Sequence, residues 1–400
     1  MLFPLLIVIT LLSSSINNGC DKGPDSSTPP DTLPVARFSY TADLLVVTFT
    51  NESENYENAT WDFADGSDIT HVKNPVHDFI TGSFNVILIV SDFYQNFDTI
   101  IQVVTVARFS NDDPDPNFTI ESPYKDYPNW YRGQMHTHTN SLPHDDGENT
   151  AGEMVQAYKD KGYDFIAITG HDTSVTDPGV EGILFIRGEE LSGVLDGKDV
   201  HSNAFNLTNT VPAGIEISEA LKLDSVLVQI NHPNRNSILL QDIVNLEGLF
   251  AIEIANYYNK RPGDMLLWNS QISLGKKIWC NAGDDMHDAN DAGHNATIVN
   301  SPDLSVTSIM QNLKNGNFYI AEGGIDGPDM SLSVDGKTIT CSTTRGAKIS
   351  WYKYDLILVS MSTEKTSSYT AIGNEVFVRV EVENASGKIA YSQPFFLINN

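Results

Sequence analysis

His136-Thr137-His138 is the stretch on which the fold reading turns, because the side chains a metal centre needs follow it in order. Downstream come His144, Asp146, His171, Glu190, His201, His232, Asp285 and His287. Of the ten histidines in the chain, seven (His136, His138, His144, His171, His201, His232 and His287) fall in this series. Imidazole nitrogens and carboxylate oxygens at such spacings coordinate several divalent ions at once. A single His-X-His is common by chance. The whole series is not.

Position strengthens the reading. From Trp130 onward, short apolar strand patterns alternate with helical ones. The predicted strands are Phe165–Thr169, Gly182–Ile186, Ser225–Ile230, Leu249–Ile254 and Lys277–Cys280. Helical patterns span Gly152–Lys161, Ile215–Leu223, Met265–Leu274 and Val306–Asn315. Such alternation predicts a parallel sheet wrapped by helices. His171, Glu190, His232 and Asp285 with His287 each come after one of these strands. In barrel enzymes the carboxyl ends of the strands form the active site. Glu189, next to Glu190, is expected to face the other way, because neighbouring strand residues alternate.

The flanking segments read differently. Residues 35–107 hold short alternating strands (Leu44–Thr50, Phe84–Val90, Thr99–Val106) separated by polar turns, the pattern of a β-sandwich. Residues 108–129, with Asp112 to Pro116, Pro123 and Pro128, read as a linker. From 325 to 400 the strand pattern returns and predicts a second, small β-sandwich. Met1 to Gly19 reads as a secretion signal with an apolar core from Leu2 to Leu12. Cys20 after Gly19 is similar to a lipoprotein cleavage site, so a membrane-anchored, exported protein is expected, and residues 20–34 read as a tether. Cys280 and Cys341 are expected as buried thiols.

The 52 acidic and 24 basic residues give a formal charge of -28. Such a chain repels nucleic acid. Bound divalent ions would still make a local site for a small anionic substrate.

Two resemblances follow from the motifs. Trp61-Asp62-Phe63-Ala64-Asp65-Gly66, Asn74-Pro75 with His77, and Gly82-Ser83-Phe84-Asn85-Val86 resemble the PKD (polycystic-kidney-disease-like) immunoglobulin-fold domain. This implies a spacer or a module contacting glycans or proteins, with His71 and His77 as surface or turn residues. Ala64 departs from that pattern, where Gly is usual. His136-Thr137-His138, Ile168-Thr169-Gly170-His171, Gly188-Glu189-Glu190, His201, Asn231-His232-Pro233 and Gly283-Asp284-Asp285-Met286-His287 resemble the PHP (polymerase and histidinol phosphatase) family of metal-dependent hydrolases. The match spans residues 130–324. Trp130-Tyr131-Arg132-Gly133, Tyr163-Asp164-Phe165 and the tail around Val378 to Pro394 are similar to its carbaryl-hydrolase-like branch.

The second resemblance implies a distorted (β/α)7 barrel within a multidomain chain, holding two or three Zn, Mn or Fe ions. His136, His138, Glu190 and Asp285 would hold the first ion. Glu190 would bridge to a second, completed by His201 and His232. His171 and His287 would hold a third, with His144 or Asp146. Gly170 departs from the family, where Asp is frequent, and Asp172 is expected to replace its carboxylate. The implied chemistry is hydrolysis by a metal-activated hydroxide, with Glu190 and Asp285 central and Arg235 as an anion clamp. A phosphoester is the family's usual substrate. Carbamate, ester or amide is the alternative, and a non-catalytic glycan-binding surface protein is the competing class.

Overall fold

The computed structural model describes residues 33–43, 46–65, 67–79, 82–106, 117–195, 197–259 and 262–399. The signal-like start, Cys20, nearly all of the tether and the acidic part of the linker lie outside the described residues.

The first unit is a two-layer sandwich. Its strands are β1 (Phe38–Asp43), β2 (Val46–Asn51), β3 (Asn58–Asp62), β4 (Val76–Asp78), β5 (Gly82–Ser91) and β6 (Phe97–Val106). They form the sheets β1-β2-β4 and β3-β5-β6. Alternation along β2 turns Val47 and Phe49 inward. There Trp61 packs against Phe38 and Phe49, with ring centroids 5.1 and 5.2 Å apart. His77 is no simple surface residue. It lies 2.6 Å from Asp65 Oδ2 and stacks on Phe63 at 3.8 Å. Ala64, at the departure from the PKD pattern, has φ 56°, a region that only glycine enters without strain.

The central unit contains β7 (Phe118–Glu121), β8 (Asn129–Gln134), α1 (Ala151–Asp160), β9 (Phe165–Ile168), β10 (Leu184–Leu195), β11 (Lys198–Phe205), α2 (Ile217–Ala220), β12 (Leu227–Ile230), α3 (Leu240–Ile243), β13 (Ala251–Asn256), α4 (Pro262–Ser273), β14 (Trp279–Gly283), β15 (Asn295–Ser301), α5 (Val306–Lys314) and β16 (Phe318–Glu322). Thr150 and Glu153 cap α1 reciprocally.

The strands expected to make a parallel sheet in a distorted (β/α)7 barrel run in mixed directions. The β8–β9, β9–β10, β12–β13 and β13–β14 pairs are parallel. The β10–β11, β11–β12, β8–β15 and β15–β16 pairs are antiparallel. One cause is local. Leu195 pairs with Lys198 across a tight turn in which Gly197 has φ 81°, and so short a connection joins only antiparallel strands. Helices are few, and α2 and α3 have four residues each.

A second cause is that β15 already has β8 and β16 on its two edges. Strand β14 therefore ends the hydrogen-bonded path and meets β15 through side chains. Thr297 Oγ1 donates to Asn281 Oδ1 at 2.7 Å, and Asn295 Nδ2 to the Gly283 carbonyl at 2.9 Å. Strand β10 also runs well past the predicted Ile186. Glu190 thus sits inside β10, and His201 inside β11, rather than after strands.

The remaining strands are β17 (Ser331–Asp335), β18 (Thr338–Ser342), β19 (Lys348–Lys353), β20 (Ile357–Ser362), β21 (Thr366–Thr370), β22 (Phe377–Glu383), β23 (Ile389–Ser392) and β24 (Phe395–Asn399). They do not make a free-standing sandwich. Pairing of β16 with β23 carries the central sheet on through β22, β19 and β20. The sheet β17-β18-β21 forms the opposing layer, tied by Trp351 Nε1 donating to Ser367 Oγ at 2.9 Å. Strand β7, inside the stretch that reads as linker, pairs with β24. Cys280 and Cys341 are free and buried, and burial pushes the Cys341 thiol up to about 12.

Replacing Ala64 by Gly relieves the left-handed residue. It is expected to stabilise the first unit by about 0.5–1 kcal/mol after the added chain entropy is counted. Denaturant unfolding followed by Trp61 fluorescence reads this, and a lower midpoint in the variant would contradict it.

Candidate metal centre

Backbone hydrogen bonds first fix the loops that carry the ligands. The Gln134 carboxamide oxygen accepts the amides of Met135, His136 and Asp284. His138 N bonds the Met286 carbonyl at 2.8 Å and Asp285 N bonds the His136 carbonyl at 3.0 Å. The two ends of the ligand series, about 150 residues apart, are thus stitched side by side. His171 is bridged in the same way to Glu190.

The side chains then converge. Ligand atoms of His136, His138, Glu190 and Asp285 lie within 4.8 Å of one another, and all four residues are buried. His136 Nε2 is 3.4 Å from both Glu190 Oε1 and Asp285 Oδ1. His138 Nε2 is 3.3 Å from Glu190 Oε2 and 3.1 Å from Asp285 Oδ1. The same Glu190 Oε1 that His136 approaches also has His201 Nδ1 at 3.1 Å and His232 Nε2 at 3.4 Å.

His171 faces two ways. Its Nδ1 is 3.3 Å from Glu190 and its Nε2 is 3.7 Å from Asp146. Asp146 Oδ1 in turn lies 3.0 Å from His287 Nε2. His144 is exposed and belongs to none of these groups. Between the two alternatives for the third site, the geometry brings in Asp146. Arg235 is exposed on the 3-10 turn Pro233–Asn236, and no described residue pairs with its guanidinium.

Whether these groups suit cations is tested by what their atoms lack. His136 Nε2, His232 Nδ1 and His232 Nε2 are buried with no hydrogen-bond partner. A buried polar atom left this way costs about 1–3 kcal/mol, and a coordinated ion would satisfy those that face the carboxylates. His232 (φ 26°) and Asp285 (φ 57°) also hold left-handed backbone, a strain that gathers at functional sites.

A surrounding ring of partners orients the ligands. Glu253 Oε1 lies 2.9 Å from His136 Nδ1, while its Oε2 accepts His232 N and Asn256 Nδ2. Gly283 makes room for this, since a Cβ there would come within 2.3 Å of Glu253 Oε1 and 2.4 Å of His136 Cβ. Asn259 Nδ2 donates to Asp285 Oδ2 at 2.7 Å, and Asn231 Nδ2 to Glu190 Oε1 at 2.8 Å.

The carboxylate beside Gly170 is that of Asp145. Its Oδ1 lies 2.8 Å from His138 Nδ1 and its Oδ2 accepts Thr139 N. A Cβ on residue 170 would sit 2.4 Å from Asp145 Oδ2. The expected substitute, Asp172, is engaged elsewhere, accepting Ser192 N at 2.7 Å. Glu189 turns away, as alternation predicts. It accepts Val211 N, and burial pushes its carboxyl up to about 7. His294 stacks on Tyr257 at 3.5 Å and lies 3.0 Å from Asp291 Oδ1.

Electrostatics agree with a site built for positive charge. Burial opposes a charge on His136, yet Glu253, Asp285 and Glu190 hold its pKa well above the imidazole range. Burial likewise opposes a charge on His138, but Asp145, Asp285 and Glu190 raise it. Burial would raise Glu190, but His136, His138 and His201 hold it well below the carboxylate range.

No protein-family model and no curated protein matches the chain. Solved structures do. A two-domain protein from Bacteroides vulgatus containing a PHP-like metal-dependent phosphoesterase is similar over 70% of this chain and 91% of its own, at 16% identity and TM-score 0.41. The first PKD domain of the Vibrio cholerae metalloprotease PrtV is 31% identical over 19% of this chain and 99% of its own, with TM-score 0.18. A lesion-specific endonuclease from Pyrococcus furiosus is 14% identical over 46% of this chain and 56% of its own, with TM-score 0.35.

Two outcomes are expected. Divalent ions must displace protons held by His136 and His138, so affinity falls as pH drops through their raised pKa values. Calorimetry of Co2+ uptake in buffers of different ionisation enthalpy should show proton release, and proton-neutral uptake at neutral pH would contradict it. Gly170→Ala pushes Asp145 off His138 and should weaken metal affinity by about 10–100-fold in chelator competition. Unchanged affinity would show that Asp145 does not steer His138.

Proposed function

We propose that this chain is an exported, metal-dependent hydrolase, with a phosphoester the preferred substrate class. The observation that carries the metal reading is the set of buried, unpartnered imidazole nitrogens of His136 and His232 beside the carboxylates of Glu190 and Asp285. A purely structural polar core would have paired them.

His136, His138, Glu190 and Asp285 would hold one ion. Glu190, His201 and His232 would hold a second, and His171, Asp146 and His287 a third. Divalent ions in such a site supply an activated water and screen the charge that develops on the substrate. The chain's own residues do the positioning. Glu190 touches imidazoles of both groups, His136 and His138 of the first and His201 and His232 of the second, so it would set their spacing. Glu253 and Asp145 fix the ring orientations of His136 and His138. Exposed and without a partner among the described residues, Arg235 is the residue we assign to holding an anionic substrate. The first sandwich, by its resemblance, serves as a spacer or a glycan- or protein-contacting module. The leader and Cys20 would anchor the protein to a membrane. A carbamate, ester or amide substrate fits the same residues.

Protein purified without added metal should contain Zn, Mn or Fe. It should hydrolyse at least one member of a panel of phosphomonoester, phosphodiester and carbamate substrates. His232→Ala should lower metal content and turnover together, each by at least about tenfold. If the metal-loaded protein turned over no member of the panel, the hydrolase reading would fail.

A further inference from the structure

Beneath the ligands, the interior of the central unit holds a chain of hydrogen bonds that all run in one sense. Thr297 Oγ1 on β15 donates to Asn281 Oδ1 on β14 at 2.7 Å. Asn281 Nδ2 donates to Gln229 Oε1 on β12 at 2.6 Å. Gln229 Nε2 donates to Asn231 Oδ1 at 2.9 Å, and Asn231 Nδ2 donates to Glu190 Oε1 at 2.8 Å. Thr297, Asn281, Gln229 and Asn231 are fully buried.

The sense of the chain is fixed at one end. An ionised carboxylate only accepts, so Asn231 must present its NH2 to Glu190. That leaves Asn231 Oδ1 to accept from Gln229, and the same logic passes through Gln229 and Asn281. Asn281 Oδ1 then needs a donor, and the Thr297 hydroxyl provides it. Bonds aligned this way polarise one another. Glu190 Oε1 is also the atom closest to His201, at 3.1 Å, and it stands 3.4 Å from both His136 and His232.

We propose that Thr297, acting through Asn281, Gln229 and Asn231, is a positioning residue that orients the Glu190 carboxylate for metal binding. The proposal rests on the reading of the cluster as a metal site. Without the hydroxyl, Asn281 Oδ1 has lost its donor. The relay is then no longer tied to β15. Asn231 keeps its NH2 toward Glu190 and Asn203 Oδ1, but the amides behind it are less firmly held, and the carboxylate loses its fixed orientation between the imidazoles.

The test uses the full chain and Co2+ as probe. Thr297→Val keeps the shape and removes the hydroxyl. It should weaken Co2+ binding by about tenfold and change the visible spectrum of the Co2+-loaded protein. Thr297→Ser restores the donor and should return both to wild type, although it leaves a methyl-sized gap. Gln229→Met interrupts the chain in the middle and should reproduce the Thr297→Val spectrum, which keeps the test open if Thr297→Val does not fold. Wild-type affinity and spectrum in Thr297→Val or Gln229→Met would overturn the proposal, as would a Thr297→Ser protein as defective as Thr297→Val. Wild-type protein that takes up no Co2+ would instead overturn the metal reading itself, and this one with it.

Discussion

The structure depends on Glu190, a buried carboxylate with imidazoles on both sides. His136, His201 and His232 approach its Oε1, and His138 and His171 its Oε2. A buried anion without partners is prohibitively unfavourable. Four strand ends and loops are therefore held where their nitrogens can reach it. The left-handed backbones of His232 and Asp285 belong to the same demand. Strain is tolerated there because the surrounding hydrogen bonds over-determine it.

Closure of the central unit follows a related logic. Both edges of β15 are occupied, so no backbone ladder joins it to β14. Polar side chains take over, with Asn295 and Thr297 reaching Gly283 and Asn281. An interior seam made of amides and hydroxyls is high-stakes, since each unmade bond there is expensive. It also places fixed dipoles next to the ligand cluster, where an apolar seam would leave none.

Much of this was legible in the sequence, for physical reasons that differ by residue. Period-two alternation exposes the first sandwich, because Val47 and Phe49 point inward while their neighbours do not. The cluster was legible because few other roles explain histidines and acids in that order, and His136, His138, Glu190 and Asp285 lie together in the structure. Glu189 was separable from Glu190 by strand parity alone. Strand direction was not legible, since an apolar run looks alike in parallel and antiparallel neighbours. The dipeptide Asp196-Gly197 was the local signal of the β10–β11 hairpin. Asp145 and Asn259 were harder still. Asp145 reaches the space beside Gly170 from a loop 25 residues earlier, and spacing rules do not see that. The choice between His144 and Asp146 depended on the path of the same loop.

The pairing of β7 with β24 has a mechanical meaning. Strand β7 is where the chain enters the central unit, and β24 is its last strand. Tension arriving from the upstream sandwich meets this short antiparallel clasp before it reaches any strand that carries a ligand. The clasp sets one short peripheral strand pair between the upstream sandwich and the strands that carry Glu190 and His201.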